Sequence, residues 1–431
     1  MNKPIKEPER ADSIEQEQKT ESHQKKSKQQ DIESWLNRFY QFRYNTIKQK
    51  PEFKLFEINS KWKPIDKYKL LTIKRELDSA GLTISKDGLM DILCSNFSVA
   101  INPVKDYFQN LEDYIITEPD YIDQLCSTIK CKNAVDWKLY LKKWLVSVVA
   151  NVFIEDKCAN HTMLVLTGDQ GKFKTTWLEN LCPPELKSYN YTGKLNLESK
   201  DCLTYLAEYL FVNIDDQLKQ LHKKDENELK NLITINFVKY RKPYDPIITE
   251  YPHLCSFLAS VNGNDFLSDP TGSRRFLPFE VENIDIEKAK NLDINLIWKQ
   301  AKFLFKTNFR YWFNSDEIDY LNQRNESFSM VSAEEELINF YYRSKPVSLK
   351  ESLAPETIKF LTPTMILVDL ELKTKQRLNK KKLGEALTKL KFIKKQRTIE
   401  NRIQWTWQII EKSTEAREKE TNLIEETEIN F

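Results

Sequence analysis

Apolar and polar positions along the chain fall into stretches of different period. Residues 1–30 carry Lys, Glu, Gln and Ser with almost nothing apolar, a composition expected to stay disordered. From Ile32 the aromatic content rises. The runs FYQFRYNTI (39–47) and EFKLFEI (52–58) alternate and are split by KQKP, the pattern of a β-hairpin. Helical spacing follows at 66–80 and 86–95, and INPVKDYFQNL (101–111) reads as a capped helix after a turn. The segment 134–154 has the pattern of a strongly amphipathic helix. MLVL (163–166), EYLFVNIDD (208–216), HLCSFLASVN (253–262) and RFLPFEV (275–281) read as buried strands, with mostly helical segments such as DENELKNLITINF (225–237) between them. That alternation predicts an α/β fold, a parallel sheet with helices on both faces. Helical, aromatic-rich sequence continues to about 345. Then come a helix at 362–374, a basic amphipathic helix at 379–392 capped by Asn379, and two β-like runs, the second alternating as Ile403, Trp405, Trp407, Ile409. Helix, helix, ribbon is a winged-helix outline. The expected division is a tail (1–30), a small α+β domain (31–128), a core with helical lead-in (129–285), a helical region (286–350), a winged-helix-like domain (351–412) and a charged tail (413–431).

Composition narrows the class. A chain of 431 residues, 40% hydrophobic and 30% charged, is globular but too long for one compact core. A net charge of +2 from 66 basic and 64 acidic residues leaves the two signs free to segregate along the chain. The start has no signal-like apolar stretch and no run approaches a membrane span, so a cytoplasmic protein without membrane contact is expected. Seven scattered cysteines without a CxxC pair, and only four histidines, argue against zinc and for a reducing compartment. Glycine is scarce, yet four of the eight (Gly168, Gly171, Gly263, Gly272) fall in the segment that carries the candidate chemistry.

That chemistry begins at TMLVLTGDQGKFKTT (162–176): strand, glycine loop, helix, the context of a phosphate-binding loop. Backbone N–H groups of Gly168, Asp169, Gln170, Gly171, Lys172 and Phe173 would turn inward on phosphates, and the following helix adds the positive end of its dipole. Lys174 would reach the β/γ-phosphates of ATP, and Thr175, followed by Thr176, would ligate Mg²⁺. Phe173 stands where the usual pattern has glycine. A phosphate loop also needs a carboxylate ending a neighbouring strand. LFVNIDD supplies Asp215 for the metal and Asp216 for the attacking water. Asn262, closing SFLASVN, is placed to position that water. DPTGSRRF offers Arg274 and Arg275 for charge developing on the transferred phosphoryl group. Singly, each of these has a bland reading as a solvated loop or turn. Their order along the chain is that of an AAA+ type ATPase.

Two segments suggest nucleic-acid contact. FVKYRKPYDPIITEYP (237–252) reads as a hairpin inserted before a strand, with Lys239, Arg241 and Lys242 clustered to track a phosphate backbone. In the small α+β domain (31–128), Arg38, Tyr40, Arg43, Tyr44 and Lys48 either stack on a single strand or belong to an ordinary half-buried hairpin; the second is favoured.

At GDQGKFKTTWLENLCPPEL, LFVNIDD, LKNLITINFVKYRKPY, SFLASVN and FLSDPTGSRRFLPFEV the chain resembles the virulence-associated E (VapE/VirE) family of phage, plasmid and genomic-island proteins, in its superfamily-3-helicase-like ATPase. The resemblance covers about 135–345. It implies an AAA+ fold, ATP hydrolysis, a homo-oligomeric ring and DNA-linked work in replication or mobility of a mobile element. Superfamily-3 rings place an arginine of one subunit in the next subunit's site, which makes Arg275 the first candidate and Arg274 the second. Asp216 stands where many relatives have glutamate, and its shorter side chain would pull the water contact back. No primase-like region is apparent, so a primase would be a separate chain. Two function classes result: a DNA helicase or replication-initiator ATPase, and an ATP-switched DNA-binding assembly factor with little or no helicase activity. A metabolite kinase is disfavoured, because no lid or acceptor pocket is recognisable.

Overall fold

The computed structural model describes residues 27–56, 61–199, 201–241, 247–268, 272–345, 357–399 and 402–418. Most of the expected tail, Lys242 and the Asp269–Thr271 part of the arginine turn lie outside them. The stretch expected to be a tail through residue 30 gives way to a helix at Lys28–Phe39, because Ser27 and Gln30 form a reciprocal capping box and Ile32 and Leu36 find a core.

The N-terminal hairpin forms as the alternation predicts, Tyr40–Asn45 against Lys50–Leu55, in a four-stranded sheet completed by Lys63–Pro64 and Val99–Ile101. Helices Lys28–Phe39, Lys67–Ser79 and Lys86–Leu93 close over it around Leu36, Ile73, Leu77 and Leu89. Its basic and aromatic residues are largely occupied within the molecule. Tyr40 is buried and donates to Glu76 at 2.6 Å, Arg43 pairs with Glu52 at 2.6 Å, and Lys48 lies 3.6 Å from the centre of the Tyr209 ring.

The centre of the molecule is a six-stranded sheet: β1 (Ile129–Cys131), β2 (Met163–Thr167), β3 (Asn190–Gly193), β4 (Phe211–Asp215), β5 (Ser256–Ser260) and β6 (Phe276–Ile284). The spatial order is β1-β6-β2-β5-β4-β3. β6, β2, β5, β4 and β3 run parallel, and β1 is antiparallel to β6. The four apolar runs form the four inner strands; β1 and the polar β3 are edge strands that hydropathy does not reveal. Leu164 and Leu166 pack on one face with Phe211, Leu258 and Trp298, while Met163 and Val165 pack on the other with Val212, Phe257 and Leu229. With both faces covered, the strands are apolar throughout instead of alternating.

The helix expected to be strongly amphipathic, Ala134–Phe153, is buried on nearly every side from Lys143 to Val152. The helix Ile294–Lys306 packs beside it on the same sheet face, with Trp298 stacked on Phe211 of β4, so protein replaces solvent along its flank. Lys143 is only 2% exposed; its ammonium donates to Glu317 at 2.8 Å and to the Trp312 carbonyl at 3.1 Å.

The last region contains helices Pro363–Thr374 and Lys380–Lys389, the latter capped by the Asn379 side chain as expected. The strand Arg402–Glu411 pairs with Lys394–Ile399, with Ile358–Leu361 and with Tyr342–Arg343. Helix Ala333–Tyr341 contributes Ile338 to the same core as Ile366, Leu370, Leu387, Trp407 and Ile409. No described helix is long and apolar enough to cross a membrane.

Candidate functional site

The carboxyl ends of β2, β5 and β4 bring five sequence-predicted residues together. The loop leaving β2 turns through Gly168 (φ +124°) and Gly171 (φ +83°). Glycine at 168 is required twice over: the backbone is left-handed, and a Cβ there would stand 2.9 Å from the Val281 carbonyl oxygen of β6. Gly168 also exchanges backbone hydrogen bonds with Gly263, tying the loop to the chain beyond β5. Asp169, Gln170 and Gly171 form the exposed rim, Lys172 is half-buried, and the loop ends at Phe173. Phe173 has φ +58° and is 55% exposed, so the departure from glycine places a bulky residue in the left-handed region, which costs about 1 kcal/mol.

Helix Lys174–Glu179 starts immediately after. The buried Lys174 ammonium donates to the carbonyls of Gly168 (2.9 Å) and Asp169 (2.6 Å) and to Oδ1 of Asn262 (3.3 Å). Burial lowers its pKa below the ordinary lysine value, and Asp216, Asp169 and Asp215 oppose that shift. Thr175 Oγ1 donates to Asp215 Oδ1 at 2.9 Å. The Ser260 hydroxyl donates to the same carboxylate oxygen and lies 3.0 Å from Thr175 Oγ1. Asp216, one residue past β4 with φ +48°, accepts from Nδ2 of Asn262 at 2.8 Å. Thr176, on the next position of the helix, is half-buried.

The two arginines lie elsewhere. β6 pairs Phe276 with Met163, at the amino end of β2, so Arg275 stands at the amino end of the parallel sheet. Six residue steps along β2 separate that level from Gly168, about 20 Å at the rise of a strand. There Asn322 accepts from the Arg274 N–H (3.1 Å), and Asn325 donates to the carbonyls of Ser273 (2.8 Å) and Phe276 (3.0 Å), fixing the turn. Arg274 and Arg275 line a cavity of about 260 Å³ with His161, Tyr311 and Trp312, and the buried Arg275 Nε has no hydrogen-bond partner among the described residues. Burial, then the neighbouring Arg274, lowers the Arg275 pKa.

The hairpin Phe237–Tyr240/Thr249–Pro252 precedes β5 and so belongs to this same amino end. Lys239 pairs with Glu250 across it at 2.8 Å, and Arg241 is exposed.

Ser260 is the site residue that sequence reasoning missed. It sits inside an apolar run, and its role follows only from the register that sets Ser260 beside Asp215. Among the described residues no group of three or more His, Cys, Asp or Glu side chains is arranged to hold a metal.

The molecule is thus a mixed α/β protein whose lysine, hydroxyl and carboxylate cluster gathers at the carboxyl end of a parallel sheet, the place where open α/β sheets hold ligands. The chain belongs to the virulence-associated protein E-like family: residues 111–330, just over half of its length, match the virulence-associated protein E-like domain. Among solved structures, the apo structure of the NrS-1 C terminal region aligns over 88% of this chain and 98% of that chain, with 11% identity and a TM-score of 0.48. The A form apo structure of the same region gives 12% identity and a TM-score of 0.46 over the same shares. No curated protein matches.

Proposed function

We propose that this chain is an ATP-hydrolysing DNA motor of AAA+ type, a helicase or replication initiator of a phage, plasmid or integrated mobile element. The observation that carries this reading is the convergence of Lys174, Thr175, Asp215, Asp216 and Asn262 from three adjacent parallel strands. The strand ending in Asn262 lies between the loop strand and the strand of the acidic pair, as an ATPase with an added central strand requires.

The residues suit ATP and Mg²⁺. Lys174 would exchange its bonds to the loop carbonyls for β/γ-phosphate oxygens, regaining the charge partner that burial makes valuable. The donors around Asp215 are all oxygens, and magnesium takes one or two carboxylates together with phosphate oxygens, so Thr175 and Asp215 would hold it. Bound there, the ion supplies neutralisation of charge on the phosphates. Asp216, held by the Asn262 amide, would orient the attacking water and accept its proton. Arg274 and Arg275, at the far end of the sheet, are out of reach of their own loop; a head-to-tail neighbour in a homo-oligomeric ring would supply Arg275 first and Arg274 second. The 237–252 hairpin, with Lys239, Arg241 and Lys242, would follow a single DNA strand. A primase would act as a separate chain.

One observation favours the runner-up, an ATP-switched DNA-binding assembly factor: the short Asp216 side chain is already tied to Asn262. DNA-stimulated ATP hydrolysis and strand displacement by the native protein separate the two. The motor requires both, and Lys174→Ala should lower turnover by about 10²- to 10³-fold and end displacement with it. ATPase indifferent to DNA would overturn the motor. DNA binding that responds to a non-hydrolysable analogue without displacement would establish the switch.

A further inference from the structure

The C-terminal region carries a charge distribution that neither the ATP site nor the 237–252 hairpin uses. Helix Lys380–Lys389 buries Leu383, Ala386 and Leu387 and leaves Lys380, Lys381 and Lys382 exposed in its first turn. Four residues after it, the ribbon Lys394–Ile399/Arg402–Glu411 begins. Its register sets Lys395 opposite Thr406, Arg397 opposite Gln404 and Ile399 opposite Arg402, so Lys395, Arg397 and Arg402 share one face. Ile403 and Trp405, opposite Thr398 and Gln396, share the other. Along one strand Trp407 and Ile409 are buried, whereas Trp405 is 52% and Ile403 74% exposed, so the ribbon projects beyond the core that anchors it.

Three nearby lysines are neutralised: Lys359 pairs with Glu411, Lys373 with Asp369 and Lys389 with Glu335. Lys380, Lys381, Lys382, Lys395, Arg397 and Arg402 have no ion-pair partner among the described residues. Arg397 is held with its guanidinium 4.3 Å from the centre of the Phe360 ring, which stiffens its presentation. Six uncompensated cations on two consecutive elements repel one another, and a polyanion relieves that repulsion while releasing its own counterions.

We propose that the first turn of helix Lys380–Lys389 and the basic face of the ribbon form a duplex-DNA contact separate from the hairpin. A helix and a projecting ribbon on a short link suit a groove and the phosphate backbone beside it. A single strand fits less well. Its bases would need an open aromatic platform beside the charges; there the Phe360 ring is half-buried and covered by the Arg397 guanidinium, while Trp405 lies on the opposite face of the ribbon with Lys394 over its ring.

The test uses the full chain without nucleotide, so that its outcome does not depend on hydrolysis. Fluorescence anisotropy is measured with a random-sequence duplex and with a single strand of equal length across a salt series. Lys395→Ala/Arg397→Ala/Arg402→Ala and Lys380→Ala/Lys381→Ala/Lys382→Ala should each weaken duplex binding by about tenfold or more and flatten the slope of log affinity against log salt by about two to three. An unchanged duplex affinity and slope would overturn the proposal, and so would a loss that is equal for duplex and single strand. A second measurement needs no variant: saturating duplex should protect Lys380, Lys381, Lys382 and Lys395 of the native protein from acetylation. Equal labelling with and without duplex counts against the contact.

Discussion

Asn262 holds the two halves of the candidate site together. Its carbonyl oxygen faces the Lys174 ammonium and its amide nitrogen faces Asp216. An ammonium only donates and a carboxylate only accepts, so the chemistry fixes which way the amide points. Asn262→Asp sets two carboxylates against each other and removes the donor that steadies Asp216. The expected outcome is a fall in ATP turnover of about 10²-fold or more, with nucleotide affinity in an equilibrium titration changed far less. Wild-type turnover in this variant would remove Asn262 from the mechanism. Asp215, Asp216 and Asn262 were legible in the sequence because each polar residue closes an apolar run. Ser260 was not, since its meaning depends on which strand lies beside β5. Phe173 was visible as a departure from glycine, and the structure gives the reason glycine is usual there: the position is left-handed.

At the level of elements, the inner strands and most helices could be read from hydropathy, while β1 and β3 could not. Asn190–Gly193 is short and polar and becomes a strand only because β4 offers its free edge. The helix Ala134–Phe153 looked one-sided because its lysines were assigned to solvent, whereas Lys143 found Glu317 in a later helix. The inserted hairpin was legible in outline, but not its root. The backbone N–H of His253 donates to the Asn236 carbonyl at 3.2 Å, and its Nδ1 lies 2.7 Å from the Ile235 carbonyl, clamping the hairpin's two ends. Burial is the main cause that lowers the His253 pKa from 6.5 to about 4. Between those values the unfolded chain binds a proton that the folded chain does not, so stability is fully present above pH 6.5 and declines as pH falls toward 4. Native protein should lose about 2 kcal/mol of unfolding free energy between roughly pH 6.5 and 5 from this group. His253→Asn keeps a donor for Ile235 and should shrink that loss in chemical denaturation at the two pH values. An identical pH dependence in the variant would show that His253 titrates normally.

For the whole molecule, the decisive feature is the length of the parallel sheet. It sets the Lys174 cluster and Arg275 at opposite ends, with Phe276 and Glu280 of β6 marking the two levels against Met163 and Thr167. From the Arg275 level, one residue before Phe276, to Gly168 is six residue steps, about 20 Å, which an arginine side chain does not span. If Arg275 serves hydrolysis, the proposed site is a joint between subunits, and the joint is heterologous, one subunit's sheet top meeting the next one's sheet bottom. Lys174→Ala subunits retain the arginine and lose the loop function; Arg275→Ala subunits do the reverse. Each should be inactive alone. Mixed in equal amounts and allowed to exchange, about one interface in four combines an intact loop with an intact arginine, so ATPase should recover to about a quarter of the native rate. The double variant Lys174→Ala/Arg275→Ala mixed with either single variant forms no interface with both groups intact, and should recover nothing. Failure of the first mixture at every ratio, with subunit exchange verified by mass, would mean that Arg275 works within its own chain or not at all, and the head-to-tail ring would fall with it.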